Sequence, residues 1–156
     1  MQQHDFETMR HCVYAYLRHV RGAIGEISAI EEQMAKQQAS LALMGMSYDV
    51  GHGSAYADKI PDGVAKAFEL RDKWSEAYAR LADGIELART ICSDEYPGRR
   101  ILWMKVVDGM SWRQISSKMH YSTKHLQRKA DNGIVSVYYA MPEEWRRDPI
   151  PNAAPK

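Results

Sequence analysis

Residues 109–130 read GMSWRQISSKMHYSTKHLQRKA, and they set the arrangement of helices in the C-terminal part of the chain. Ser111 stands three residues before Gln114, which is the spacing of a capping box and predicts that a helix begins directly after the serine. Ser122 predicts a second helix start in the same way, after a turn of three to four residues. The apolar residues expected to face inward from these two helices are Ile115, Met119, Leu126 and Ala130.

The flanking residues extend this pattern. A short apolar helix is predicted from about Arg99, and the pair Asp108-Gly109 is expected to end it. Further inward-facing residues of the last helix are Gly133 or Ile134, and Val137. A short helix, a tight turn and a longer helix make up the helix-turn-helix motif, so the sequence predicts a helix-turn-helix domain at residues 98–141.

Charge is unevenly distributed along the chain, although the whole sequence has 21 Lys/Arg against 20 Asp/Glu. Residues 1–96 contain ten basic and fifteen acidic side chains, whereas residues 97–141 contain eight basic and two acidic ones. The C-terminal segment therefore carries a net charge of about +6, an excess that suits a polyanion such as DNA. The alternative interpretation of the same charge is a solvated basic helix face.

The helix after Ser122 is the expected recognition helix, because the second helix of such a motif enters the major groove with its N-terminal half. Arginine and lysine suit guanine, and glutamine suits adenine, by donor and acceptor geometry. The side chains expected at the helix start and at the bases are Ser122, Thr123, Lys124, Gln127 and Arg128. Those expected to contact phosphates are Arg99, Arg100, Arg113, Lys118 and Lys129.

The run ILWMKVVDGMSWRQI at residues 101–115, together with Met119-His120-Tyr121-Ser122, resembles the last DNA-binding region of bacterial sigma factors. The whole layout is similar to small phage-encoded transcription regulators of the ArpU and RinA type. The resemblance implies an N-terminal helical region, a C-terminal sigma-like helix-turn-helix and a role in late-gene control. It also implies double-stranded DNA as the ligand and a contact with RNA polymerase.

Three residues depart from the sigma-factor pattern. Gln114 replaces the usual glutamate of the second helix. Ser116 stands where the family has an alanine, so its hydroxyl needs a hydrogen-bond partner. His120 stands where the family has a turn glycine, a position where φ is expected to be positive and where histidine is tolerated better than most residues.

The N-terminal part carries a seven-residue apolar repeat. Its members are Phe6, Val13, Val20, Ile27, Met34 and Leu41. Such a seam predicts a helix from about Asp5 to Met44, and a helix of this kind needs a partner to bury its apolar side. A glycine-containing loop is expected at residues 45–61, with a second helix beginning near Pro61 and running to about Asp94.

The second helix is expected to present its own apolar seam to the first. The expected members are Val64, Phe68, Tyr78, Leu81, Ile85, Ala88 and Cys92. Two long helices joined by a loop pack as an antiparallel hairpin, predicted here for residues 1–97. Cys12 and Cys92 are expected near the open end as buried thiols. The predicted fold is therefore all-α: a long helical hairpin followed by a helix-turn-helix.

Four of the six prolines lie in residues 142–156, which are expected to form a flexible tail, with Trp145 either packed on the body or exposed. Neither a catalytic motif nor metal-ligand spacing stands out, so no enzymatic activity, cofactor or metal is expected. No apolar run is long enough for a membrane span, and the start of the sequence lacks a signal-peptide pattern. A cytoplasmic protein of a bacterial host, associated with its nucleoid, is therefore expected.

Three functions fit these features. The first is a sequence-specific transcription regulator of phage or prophage type, for which a homodimer on two half-sites is expected. The second is a DNA-packaging accessory protein resembling a small terminase subunit, which would assemble into rings. The third is a coiled-coil interaction module whose C-terminal helices bind protein instead of DNA. The basic excess of residues 97–141 motivates the first, and the sequence barely separates the second from it.

Overall fold

The computed structural model describes residues 3–43 and 62–146, and this part of the chain contains helices and no strands. The helices are α1 (Gln3–Leu43), α2 (Asp62–Ile91), α3 (Pro97–Leu102), α4 (Trp112–Met119) and α5 (Thr123–Ala140). A π-helical turn, Trp103–Val107, continues α3, and a 3-10 turn, Glu143–Trp145, follows α5. The predicted all-α class is confirmed. The loop predicted at 45–61 lies outside the described residues.

The described residues divide into two compact units. One unit contains residues 3–23 and 84–146, and the other contains residues 24–43 and 62–83. The boundaries therefore lie inside α1 and α2, whereas the sequence places a domain boundary at residue 97. None of the helices in the described ranges combines the length and apolar character that crossing a bilayer requires.

In the unit of residues 24–83, α1 and α2 run antiparallel. Going forward along α1, Glu26 forms an ion pair with Arg80, and Glu31 accepts a hydrogen bond from the indole of Trp74 at 3.1 Å. Further along α1, the Gln37 amide donates to the carbonyl oxygen of Gly63 at 2.9 Å. Because the partners in α2 come in reverse order, the two segments must run in opposite directions.

The seam of α2 differs from the predicted one. Phe68 and Tyr78 were expected to be buried, yet they are 40% and 49% exposed, and the alanines next to them, Ala67 and Ala77, are buried instead. A small alanine needs little space at a buried position, whereas the larger rings of Phe68 and Tyr78 stay partly exposed. Hydrophobicity alone favours burial of the aromatic residues. The predicted burial of Phe68 and Tyr78 was therefore wrong by one position at each site.

The unit of residues 3–23 and 84–146 has a core built from five helices. Its most deeply buried large side chains are Leu17, Ile101, Leu102, Ile115, Leu126, Ile134 and Met141. Gly98 of α3 meets Gly133 of α5, and a Cβ added to Gly133 would lie 2.5 Å from the carbonyl group of Gly98. This close approach fixes α5 against α3, and it thereby sets which side of α5 faces solvent.

The first residues of the predicted flexible tail are ordered against this unit. Trp145 packs its ring on Tyr16 and His19 of α1, with ring centroids 5.7 Å and 4.9 Å apart. The guanidinium of Arg146 donates to the carbonyl oxygens of Tyr139 and Met141, which satisfies acceptors at the end of α5. Residues 142–146 therefore belong to the folded unit, while 147–156 lie outside the described residues.

Candidate nucleic-acid interface

α4 begins where its capping box predicts. The backbone amide of Gln114 donates to the Ser111 hydroxyl at 3.2 Å, and the Gln114 side-chain oxygen accepts from the Ser111 amide at 2.7 Å. This reciprocal pair satisfies two amides that a helix start leaves open. Ile115 is fully buried, whereas Arg113 and Lys118 are exposed. The glutamine that replaces the usual glutamate thus completes the capping box.

The turn between α4 and α5 depends on the two remaining residues that depart from the sigma-factor pattern. His120 ends α4 in the left-handed region, with φ 57° and ψ 34°. The Ser116 hydroxyl donates to the carbonyl oxygen of Tyr121 at 2.6 Å. The serine therefore has the partner that its hydroxyl requires, and its bond ties the turn to the helix before it.

α5 begins at the second predicted cap, where the Ser122 hydroxyl accepts from the amide of His125 at 3.3 Å. Leu126 and Ala130 of this helix are buried, and so are the later residues Gly133, Ile134 and Val137. The exposed side chains of its first turns are Thr123, Lys124, Gln127, Arg128 and Asp131. Four of these five are the residues that the sequence predicts at the bases, and they lie together on one side of α5.

Two of the predicted phosphate contacts, Arg99 and Arg100, have partners within the protein. The guanidinium of Arg99 donates to the Ile91 carbonyl oxygen at 3.1 Å and to the Ser136 hydroxyl at 2.6 Å, and it lies 4.1 Å from the ring centre of Tyr96. Arg100 forms an ion pair with Asp94 at 3.1 Å. Arg99 therefore connects the end of α2 to α5, a role that its sequence position did not indicate.

Three of the predicted cations, Arg99, Arg100 and Lys129, have partners within the protein, and the other four are exposed. Arg113, Lys118, Lys124 and Arg128 are exposed on α4 and α5. Lys129 is half-buried, with its ammonium 5.4 Å from the ring centre of Tyr121. The four exposed cations are the ones placed to meet an external anion.

Sequence reasoning missed the contacts that His125 makes. Nη2 of Arg128 lies 3.2 Å from Nδ1 of His125, and the ring of His125 packs on that of Tyr121 with centroids 4.9 Å apart. The spacing of three residues between the histidine and the arginine was the available indication, because residues three apart on a helix are neighbours.

No group of three or more His, Cys, Asp or Glu side chains in residues 3–43 and 62–146 is arranged to hold a metal ion. Comparisons of the chain with protein-family models, with curated proteins and with solved structures find no match. The arrangement of α4, the turn and α5 therefore has to be interpreted from its own geometry.

Proposed function

We propose that this chain binds double-stranded DNA in the major groove through the N-terminal half of α5, and that it regulates transcription. One observation carries the proposal: Lys124, Gln127 and Arg128 are exposed on one side of α5, while Leu126 and Ala130 are buried on the other. The major groove admits an α-helix, and these three side-chain types match the acceptors and donors that guanine and adenine present there.

The turn supports the same interpretation. α4 and α5 are joined by three residues, His120, Tyr121 and Ser122, and both helices start at a serine cap. This is the spacing of a helix-turn-helix, in which the first helix crosses the backbone and the second enters the groove. Arg113 and Lys118 on α4 are exposed and suit contacts to phosphates.

Fluorescence anisotropy of a labelled mixed-sequence duplex, titrated with the full chain across a salt series, tests DNA binding. A mixed-sequence duplex does not offer a selected base, so all four exposed cations are expected to meet phosphates there. If each neutralises one phosphate, affinity should fall about a hundredfold between about 50 and 200 mM salt. The double variant Lys124→Ala/Arg128→Ala should bind at least about tenfold more weakly while remaining folded.

The matched control is Lys66→Ala/Arg71→Ala, which removes the same charge from exposed positions of α2. This control should bind like the unaltered chain, because its cations do not lie on α4 or α5. An unaltered chain that binds no duplex at low salt would overturn the proposal. The basic side of α5 would then be a solvated surface or a protein-binding surface.

Regulation of transcription rests on the sigma-factor resemblance in addition to the geometry of α5. In vitro transcription from a promoter beside a selected binding site tests it, with Lys124→Ala/Arg128→Ala as the inactive comparison. A change in transcript yield that the double variant abolishes would support regulation. Tight, sequence-specific binding with no change in yield would instead favour a packaging or accessory role on DNA.

A further inference from the structure

The guanidinium of Arg128 is oriented by a neighbour on its own helix. Its Nη2 donates to Nδ1 of His125 at 3.2 Å. A guanidinium has five N–H donors in a planar fork, so this bond occupies one of them and leaves the others for an external acceptor, because Arg128 is exposed. Two parallel donors are what the O6 and N7 acceptors of guanine require in the major groove.

His125 is itself held in place from the turn. Its ring is half-buried and packs on the ring of Tyr121, with centroids 4.9 Å apart at an angle of 41°. The carbonyl oxygen of Tyr121 accepts the Ser116 hydroxyl of α4 at 2.6 Å, and the Lys129 ammonium lies 5.4 Å from the centre of the tyrosine ring. Contacts therefore run from α4 through the turn to the histidine and on to Arg128.

We infer that His125 is a positioning residue that holds Arg128 for bidentate contact with a guanine, and that it thereby determines sequence specificity. The inference rests on the proposed DNA binding by α5. Because a guanidinium can only donate, this bond requires the neutral tautomer of His125 that carries its ring proton on Nε2. An arginine held before binding loses less side-chain freedom when it contacts the base, so the correct base pair is favoured more strongly.

The test begins with duplexes selected from a randomised pool by the full chain. The base pair whose preference disappears in Arg128→Ala is the one that Arg128 contacts. His125→Ala removes the acceptor, whereas His125→Gln supplies a side-chain carbonyl oxygen in its place. Both replacements have at least the helix propensity of histidine, so α5 is expected to remain folded.

We expect His125→Ala to reduce the preference for guanine at that base pair about three- to tenfold, which corresponds to the ordering of one side chain. His125→Gln should retain most of the preference. Affinity for a mixed-sequence duplex and its salt dependence should not change, because the exposed cations that contact phosphates remain.

Several outcomes would overturn the inference. Selection of the same guanine by His125→Ala, as sharply as by the unaltered chain, is one. An equal loss of selected and mixed-sequence binding together with a lower melting temperature is another, because it indicates a structural role alone. Binding of duplexes without selection of any sequence would reject the role of His125 and leave DNA binding intact. A chain that binds no duplex at all would reject the proposed function as well.

Discussion

The backbones of α3 and α5 touch at Gly98 and Gly133, where neither residue has a side chain. A Cβ on Gly133 would lie 2.5 Å from the Gly98 carbonyl group, which is closer than real Cβ atoms approach. Alanine normally favours a helix over glycine, yet here the added methyl must push the helices apart. We expect Gly133→Ala to lower the free energy of unfolding by about 1–3 kcal/mol, measured by urea denaturation.

The control for Gly133→Ala is Gly22→Ala in α1 of the same unit. Gly22 is an exposed helical residue, and a Cβ added there would have no heavy atom within 4 Å. With open space around it, this alanine should raise the free energy of unfolding by about 0.5–1 kcal/mol. Equal effects of the two substitutions would show that the contact between the two glycines does not restrict residue size.

Cys92 should make the stability of the protein fall at alkaline pH. Burial raises the pKa of its thiol from 9.0 to about 12, and the nearby charge of Arg99 offsets only part of this increase. Above about pH 9 the unfolded chain releases the thiol proton while the folded chain keeps it, so the free energy of unfolding decreases from there until the folded thiol ionises. Because the thiol has a higher pKa in the folded chain than in the unfolded chain, the stability that the protonated thiol contributes is fully present below about pH 9 and is lost as the pH rises.

Urea denaturation at about pH 8 and pH 10 measures this effect against Cys92→Val. The unaltered chain should lose about 1 kcal/mol more stability over this interval than the valine variant does. Tyr16, whose pKa is raised to about 12 by burial and also by the charge of Cys92, remains in both chains. Up to about pH 10 its contribution depends mainly on ionisation of the tyrosine in the unfolded chain, which is the same in both. Identical losses in the two chains would mean that the thiol ionises as readily in the folded protein as in the unfolded one.

α4 is a short helix, so the cap at its start should contribute measurably to the stability of the protein. It has eight residues, and the Ser111 hydroxyl and Gln114 side chain satisfy amides at its start. We expect Ser111→Ala to lower the free energy of unfolding by about 1 kcal/mol, measured by thermal or urea denaturation. Ser117→Ala, at an exposed position inside the same helix, should be neutral or slightly stabilising because alanine has the higher helix propensity.

The helix starts were predictable because a cap is a local property. Ser111 and Ser122 specify their helices through bonds to amides three residues away, and nothing distant in sequence is needed. The seam of α2 was not predictable in the same way. Whether Ala67 or Phe68 is the buried neighbour depends on how α2 packs against the rest of the protein, which the local sequence does not contain.

The residues of the candidate interface show the same difference between local contacts and contacts that are distant in sequence. The exposure of Lys124 and Arg128 followed from assigning Leu126 to the core, which periodicity within one helix permits. The internal role of Arg99 did not follow, because its partners Ile91 and Ser136 are brought to it by the packing of separate elements. Contacts within a helix were therefore accessible from the sequence, whereas contacts between helices required the structure.

At the scale of the whole molecule, the unit that contains α4 and α5 also includes the first half of α1. Residues 3–23 belong to it, although more than sixty positions separate them from α3 in the sequence. Four of their large side chains are at most 3% exposed, namely Val13, Tyr16, Leu17 and Val20, and the smaller Cys12 is 1% exposed. The proposed DNA-binding domain is therefore larger than residues 98–141, the range that motif and charge indicate.

A fragment of residues 84–156 should consequently fail to fold on its own. Burial of each large apolar side chain contributes about 1.5–3 kcal/mol to stability. Removing the four large buried side chains of residues 3–23 therefore costs roughly 6–12 kcal/mol, which is comparable to the whole stability of a domain. We expect the fragment to lack near-ultraviolet circular dichroism and a cooperative thermal transition. Adding a peptide of residues 1–23 should restore both, because it returns Val13 and Leu17 to the core. A fragment that melts cooperatively at the temperature of the full chain would show that α3 to α5 are stable without α1.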